Sequence, residues 1–468
     1  MRDEMRKVGG GCVEIELDSV PAPEEALRAA VTRPGPFFLD SALPMEGIGR
    51  RSILGWDPFL VLTSKGDRMT VTDAGGTREK RGDPLDAARE LLGRFRAQPG
   101  THSGFAGAAV GYLGYDLCHF IERLPQRATD DIGMPDLFLA FHDTAVVWDR
   151  RTGRAWAAAV ETGAPGRPPA RERASVCAER LRGGLAPRVA GPARSGGVEC
   201  NFDDDAYRQA IRRCKDYISA GDIFQVNMSR RFRSGLAVPP WELYLRLRAI
   251  NPAPMAGYLA WDDWAVVSAS PELFLRLDGD RVETWPIKGT RRRSASPTED
   301  AALARELLAS EKDAAELAMI VDLERNDLGR VCEYGSVRVA EPRTLQSFPS
   351  VHHLVARVEG RLRTGKDAVD LIRATFPGGS ITGAPKIRAM EIIDELEPTR
   401  RGVYTGAIGM FGLDGGMNLN IAIRTIVARG GKTWFQAGGG IVADSDPQLE
   451  LEETFHKAEA LIRALEKG

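Results

Sequence analysis

Long hydrophobic runs are missing from this 468-residue sequence. No apolar stretch approaches the roughly 20 residues needed to cross a bilayer. The opening residues, MRDEMRKVGGG, hold two acids among their bases and no apolar segment behind them, so they do not read as a signal peptide. An excess of either charge is also missing. The formal net charge is −2, which gives no electrostatic reason to expect nucleic acid or an anionic membrane as partner. Cysteine is sparse: six residues, at Cys12, Cys118, Cys177, Cys200, Cys214 and Cys332, with no CxxC pair. That excludes a disulfide scaffold and suggests a reducing cytoplasm, with thiols serving as small apolar side chains. Internal repeats and low-complexity tracts are absent. So are the Walker spacing GxxxxGK[ST] and a GxGxxG after a strand, which argues against a nucleotide ligand.

What is present fits a soluble globular chain: 43% apolar and 27% charged residues are enough to bury a sizeable core. The most irregular stretch, with GAPGRPP, RGGLAPR and GPARSGG, has the composition of a connector. It divides the chain into an N-terminal region (1–160), a connector (161–198) and a C-terminal region (199–468). A short helix fits inside the connector at about 170–181. In the N-terminal region, DTAVVWDRRTGRAWAAAV reads as a hairpin turning at Asp149 to Gly153. The C-terminal region opens with an amphipathic helix carrying Tyr207, Ile211, Cys214 and Ile218 on one face. IFQVNMS alternates like a strand, and YLAW-DD-WAVVSAS reads as strand, turn, strand. Residues 299 to about 323 read as one long helix, and 447–465 as another. Strands and helices without a regular βαβ alternation predict a mixed α/β fold with antiparallel sheets.

Two glycine-rich segments stand out, PGGSITGAPK (Pro377 to Lys386) and AGGGIV (Ala437 to Val442). Such segments let a ligand approach bare backbone, and a carboxylate is an eligible guest. With SPELF (270–274), PIKGT (286–290), KDAAELAMIVDLERNDLGRV (312–331), VHHLV (351–355), RRGVYTGAIG (400–409), NIAIRT (420–425), AGGGIVADSDP (437–447) and ELEETFHKA (450–458), they form an ordered set. In this order and spacing the set resembles the chorismate-utilising enzymes. That family comprises the large subunits of anthranilate synthase and aminodeoxychorismate synthase and the isochorismate and salicylate synthases. The resemblance is close over roughly 200–465 and weaker before that.

The resemblance implies a fold of the α/β (α+β) kind, two antiparallel β-sheets packed as a sandwich with helices outside. It implies chorismate as substrate and Mg²⁺ on the ring carboxylate, held by Glu316 and Glu453, with Asp313 and Glu450 behind them. Magnesium prefers a few carboxylates completed by water and substrate. The second carboxylate of chorismate would meet Arg424, Tyr404, Lys457 and the backbone of Gly438, Gly439 and Gly440. Ser380 and Thr290 would offer hydroxyls, and His353 would lie beside the ring. Glu272 would be the acid that protonates the departing 4-hydroxyl. His352 reads as structural, and Arg291 to Arg293 as mostly solvated surface.

Within the family, Lys288 points to the aminodeoxychorismate synthase branch, because anthranilate synthases usually carry alanine in the PIKGT position. The implied role is a covalent one, with the amine adding to ring carbon 2. Gln225 stands where isochorismate and salicylate synthases place a lysine that activates water, so an amine product is expected. Ammonia would come from a separate glutamine amidotransferase subunit, since no GxCxG nucleophile elbow is present. The family's tryptophan pocket would fall on Leu39, Asp40, Ser41, Arg51, Ser52 and Asn251 to Met255, where the usual LLES appears here as FLDS.

Overall fold

A computed structural model describes residues 5–8, 11–18, 21–98, 100–183, 197–349 and 351–466. Two large sheets dominate. In the first, the strands run in the order 5–8, 12–16, 155–160, 144–149, 51–55, 37–40, 255–261, 264–270, 425–429, 432–441, 225–235 and 199–200. In the second, the order is 287–292, 351–361, 281–285, 273–278, 417–421, 407–412, 108–113, 137–142, 60–65, 68–73 and 76–81. Neighbouring strands in both sheets are antiparallel.

The strands read as buried on both faces, and packing explains why. Along Trp264–Ser270, Trp264 and Val266 point into the layer between the sheets. Ala265, Val267 and Ala269 point outward to the helices. The inter-sheet core includes Phe37, Ile53, Val110, Val147 and Ile408. Helices Pro84–Arg94, Glu311–Gly329 and Ala368–Thr375 cover the outer face of the second sheet. Helices Pro23–Ala30, Ala170–Arg182, Pro240–Ile250 and Pro447–Glu466 cover that of the first. This is the sandwich with outer helices that the family resemblance implied. No helix among the described residues is long and apolar enough to cross a membrane.

Both sheets take strands from either side of the connector. Phe37–Asp40 pairs with Met255–Trp261, and Ala108–Leu113 pairs with Ala407–Gly412. The connector's helix is present at Ala170–Arg182, packed on Ala155–Val160, while 184–196 lie outside the described residues. The hairpins at Asp149 to Gly153 and at Asp262–Asp263 form as expected.

One element differs. The stretch 299–323 is not a single helix: Pro297–Ala309 ends at Ser310, and Glu311–Gly329 begins there. Ser310 is extended, and its hydroxyl accepts the Asp313 N–H at 3.2 Å. A serine in that position competes with the helix ladder and restarts it as an N-cap.

Candidate active site

The site is built where one end of the second sheet meets helices Glu311–Gly329 and Pro447–Glu466. Strand Ile287–Arg292 carries Lys288 and Thr290. Its pairing with Val351–Arg361 shifts register between those two residues. Gly289, at φ +74°, makes the shift, and a β-carbon there would lie 3.0 Å from Asp313. Bulges of this kind re-aim side chains. Lys288 Nζ donates to the Ser380 carbonyl at 3.1 Å. The residue as a whole is half-buried. Burial nevertheless lowers its basicity, and Lys457 lowers it further, against the pull of Glu316, Glu272 and Glu453.

Glu272 sits behind the lysine, 4% exposed, and accepts the Ser380 hydroxyl at 2.7 Å. Burial pushes its carboxyl up to about 7, although Ser380 and Lys288 pull the other way. A carboxyl still protonated near neutrality is suited to give a proton to a leaving group. Ser380 thus engages both groups, the acid through its side chain and the lysine through its main chain.

His353 lies across the strand pair from Thr290. Its Nδ1 is 2.9 Å from the Thr290 hydroxyl and 3.4 Å from the Gly289 carbonyl. Burial, with Arg424 nearby, holds the ring down to about 4, so it is neutral at ordinary pH. His352 faces the other way, between Ser347 at 2.8 Å and Asp300 at 3.1 Å, a structural role. The arginine run is exposed at Arg292 and half-buried at Arg291 and Arg293, and all three carry ion pairs. Arg291 pairs with Asp313 and Glu306, Arg292 with Glu299 and Arg293 with Asp300.

Glu316 and Glu453 come from opposite sides of the sandwich, on helices packed against the second and first sheets respectively. Burial raises Glu316, with Asp313 and Glu453 adding repulsion. Burial raises Glu450 as well, and Ser445 donates to it at 2.6 Å. For Glu453, burial is outweighed by Lys457, Lys288 and Arg424, which leave it below the usual range. Lys457 pairs with Glu453 and donates to the Gly438 carbonyl at 2.8 Å. Among the described residues no three His, Cys, Asp or Glu side chains close on one point as a ready-made metal cage. Two carboxylates whose charges are costly side by side still fit a Mg²⁺ that takes its other ligands from water and substrate. Asp313, turned to Arg291, stands behind them.

Arg424 has a strained backbone, φ +53°, in a region that costs a non-glycine residue energy. Its guanidinium makes no hydrogen bond or ion pair among the described residues, and burial lowers its pKa. A fixed, unspent guanidinium near Tyr404 is a ready partner for a ligand carboxylate. Gly439 faces the acids, since a β-carbon there would come within 3.0 Å of Glu450. Gly438 and Gly440 leave no room for a side chain either. A β-carbon at Gly438 would strike the Met228 carbonyl at 2.1 Å, and one at Gly440 the Gln225 amide at 2.3 Å. Gln225 is 1% exposed, and its Nε2 has no partner among the described residues.

The expected tryptophan pocket does not gather as an open site. Asp40 is taken by Ser52 at 2.8 Å, Tyr244 at 2.8 Å and Arg248 at 2.6 Å, and Ser41 donates to the Arg51 carbonyl at 2.6 Å. These polar atoms are spent inside the protein, and nothing supports tryptophan binding there.

Two buried features escaped the reading of the sequence. Arg401 pairs with Glu397 and bonds to the Ile381 and Asn227 carbonyls, tying the loop before Tyr404 to the glycine-rich segment. Glu324 and Asp327 are buried on helix Glu311–Gly329. The signal was available: they continue the stripe Leu317, Ile320, Val321 at helical spacing.

Residues 41–463 match the family described as chorismate binding enzyme. The aminodeoxychorismate synthase component 1 of Bacillus subtilis (strain 168) is 41% identical over 98% of this chain and 97% of that protein. The anthranilate synthase component 1 of Thermus thermophilus is 44% identical over 94% of each. Among solved structures, anthranilate synthase component I from Streptococcus pneumoniae TIGR4 superposes with a TM-score of 0.78 at 32% identity, covering 89% of this chain and 93% of that one. The chain belongs to the chorismate-binding enzyme family.

Proposed function

We propose that the chain is the chorismate-aminating component of an aminodeoxychorismate synthase, which replaces the 4-hydroxyl of chorismate by an amino group. The observation that carries this reading is Lys288, a lysine of lowered basicity held against Ser380 and beside Glu272. The product would serve para-aminobenzoate and folate synthesis, and ammonia would come from a separate glutaminase subunit. The "component 1" in the names of the similar proteins supports a multi-subunit enzyme.

In this reading Arg424, with Tyr404, holds one substrate carboxylate. Glu316 and Glu453 would hold a Mg²⁺, which when bound would neutralise the ring carboxylate and withdraw charge from the ring. The neutral Lys288 amine forms a bond to ring carbon 2. The two ring double bonds shift, and the 4-hydroxyl leaves as water with the proton of Glu272. Ammonia then bonds to carbon 4, the double bonds shift back, and the Lys288 amine is released. The sum is chorismate plus ammonia giving aminodeoxychorismate plus water. His353, neutral and anchored by Thr290, flanks the ring.

The 44% identity to an anthranilate synthase component favours a second reading, in which the same site makes anthranilate and pyruvate. Incubation with chorismate, Mg²⁺ and ammonium separates the two: fluorescent anthranilate as the product would refute amination at carbon 4 without elimination. Lys288→Ala should lower aminodeoxychorismate formation by about two orders of magnitude or more, the scale of a lost nucleophile. Undiminished formation, followed by chromatography, would remove the covalent role.

A further inference from the structure

The reaction above makes no use of Glu324, a buried carboxyl next to the loop that carries Ser380. Glu324 is 2% exposed, on the inner stripe of helix Glu311–Gly329. It faces the underside of the 378–382 loop. Its Oε1 accepts the Gly379 N–H at 3.1 Å, and its Oε2 has no hydrogen-bond partner among the described residues. The fit is tight: a β-carbon on residue 379 would lie 3.2 Å from Glu324 Oε1 and 2.6 Å from Leu323 Cδ2. Thr382 closes the turn by donating to the Gly378 carbonyl at 2.9 Å. The next residue along from Gly379 is Ser380, which engages both Glu272 and Lys288.

Three charged groups face Glu324. Asp327 lies on its own helix, Lys386 on helix Lys386–Leu396, and Glu272 beyond the loop. Lys386 is already committed, to Asp327 and to the Thr375 and Pro377 carbonyls at 2.9 and 2.8 Å. Glu324 therefore has no cation of its own. Its firm attachment is the loop.

We propose that Glu324 is a positioning residue for the acid and the lysine: by fixing Gly379 it sets the Ser380 hydroxyl against Glu272 and the Ser380 carbonyl against Lys288. Burial, with Asp327 adding repulsion, pushes its carboxyl to about 8. It is thus mainly uncharged at neutral pH, and Glu272 is spared a second negative charge behind it. The inference rests on Lys288 and Glu272 acting on chorismate, whichever amine is formed.

The test uses the full chain with chorismate, Mg²⁺ and ammonium, reading chorismate consumption and identifying the product separately. Glu324→Leu removes the acceptor for Gly379. It should lower kcat about ten- to a hundredfold, the cost of a small misplacement, with KM unchanged. Glu324→Gln keeps an acceptor and should retain kcat at neutral pH. Its KM and its alkaline limb should stay close to wild type, because Glu324 is mainly uncharged where Glu272 titrates. Wild-type kcat in the leucine variant, or a loss of kcat in the glutamine variant as large as in the leucine variant, overturns the proposal. If the leucine variant does not fold, Glu324→Ala, which also lacks the acceptor, takes its place with the same two outcomes. Anthranilate as the product would refute the amination reading and leave both readouts on Glu324 intact.

Discussion

Glu272 and Lys288 set opposite demands on pH. The acid must be protonated to release the hydroxyl, and the amine must be neutral to attack. Burial raises the first to about 7 and lowers the second, so the two windows move towards each other. The sign follows directly. A carboxyl raised to about 7 is in its working form below that pH and loses it above. Turnover should therefore fall as pH rises through about 7. In Glu272→Gln, kcat should drop about a hundredfold or more, and the alkaline limb should vanish with it. A limb that persists in the variant would assign the titration elsewhere. The residues of this pair were legible as members of SPELF and PIKGT. Their coupling through Ser380 was not, because one serine supplying both a side chain and a carbonyl is a fact of loop geometry. Glu324 was missed for a related reason: a glutamate in a helix reads as solvated surface unless the apolar stripe is followed through it.

Helix Glu311–Gly329 carries Glu316 to the cleft and Glu324 to the loop about two turns further along one rigid element. Its start is set by Ser310, which the apolar pattern concealed, since Ala, Leu and Glu on both sides are equally good helix formers. Ser310→Ala should cost about 1 kcal/mol of stability, measured by chemical denaturation with unchanged slope. An unchanged midpoint would show that the cap contributes nothing. Elements with clear turn chemistry were read correctly, including the Asp262–Asp263 hairpin, whose Asp262 takes φ +52°, and the tail helix Pro447–Glu466. Strand order was beyond reach. Nothing in the local sequence of Phe37–Asp40 says that its partner lies at Met255–Trp261. The family resemblance supplied the two packed antiparallel sheets but not the order of their strands.

In composition the connector is a boundary between two regions of the sequence. In the folded molecule each sheet is continuous across it: a block of strands from one region is hydrogen-bonded to a block from the other, at Phe37–Asp40 with Met255–Trp261 and at Ala108–Leu113 with Ala407–Gly412. Residues 199–468 expressed alone would expose Ala407–Gly412 and Met255–Trp261 as unpaired edges, a liability for any sheet. That fragment should aggregate or lack a cooperative melt, whereas the whole chain should unfold in a single transition. A soluble fragment with its own sharp transition would show that the regions are independent.

Glu316 and Glu453 ride on helices belonging to different sheets, and this has a consequence for how the protein fails. The cleft has no floor of its own. It draws on both layers of the sandwich, so heat, denaturant or a distant core mutation that parts the two layers takes the chemistry away with them. A cation and a substrate seated there would act as a rivet through both plates, and an enzyme at work would be harder to open than one at rest.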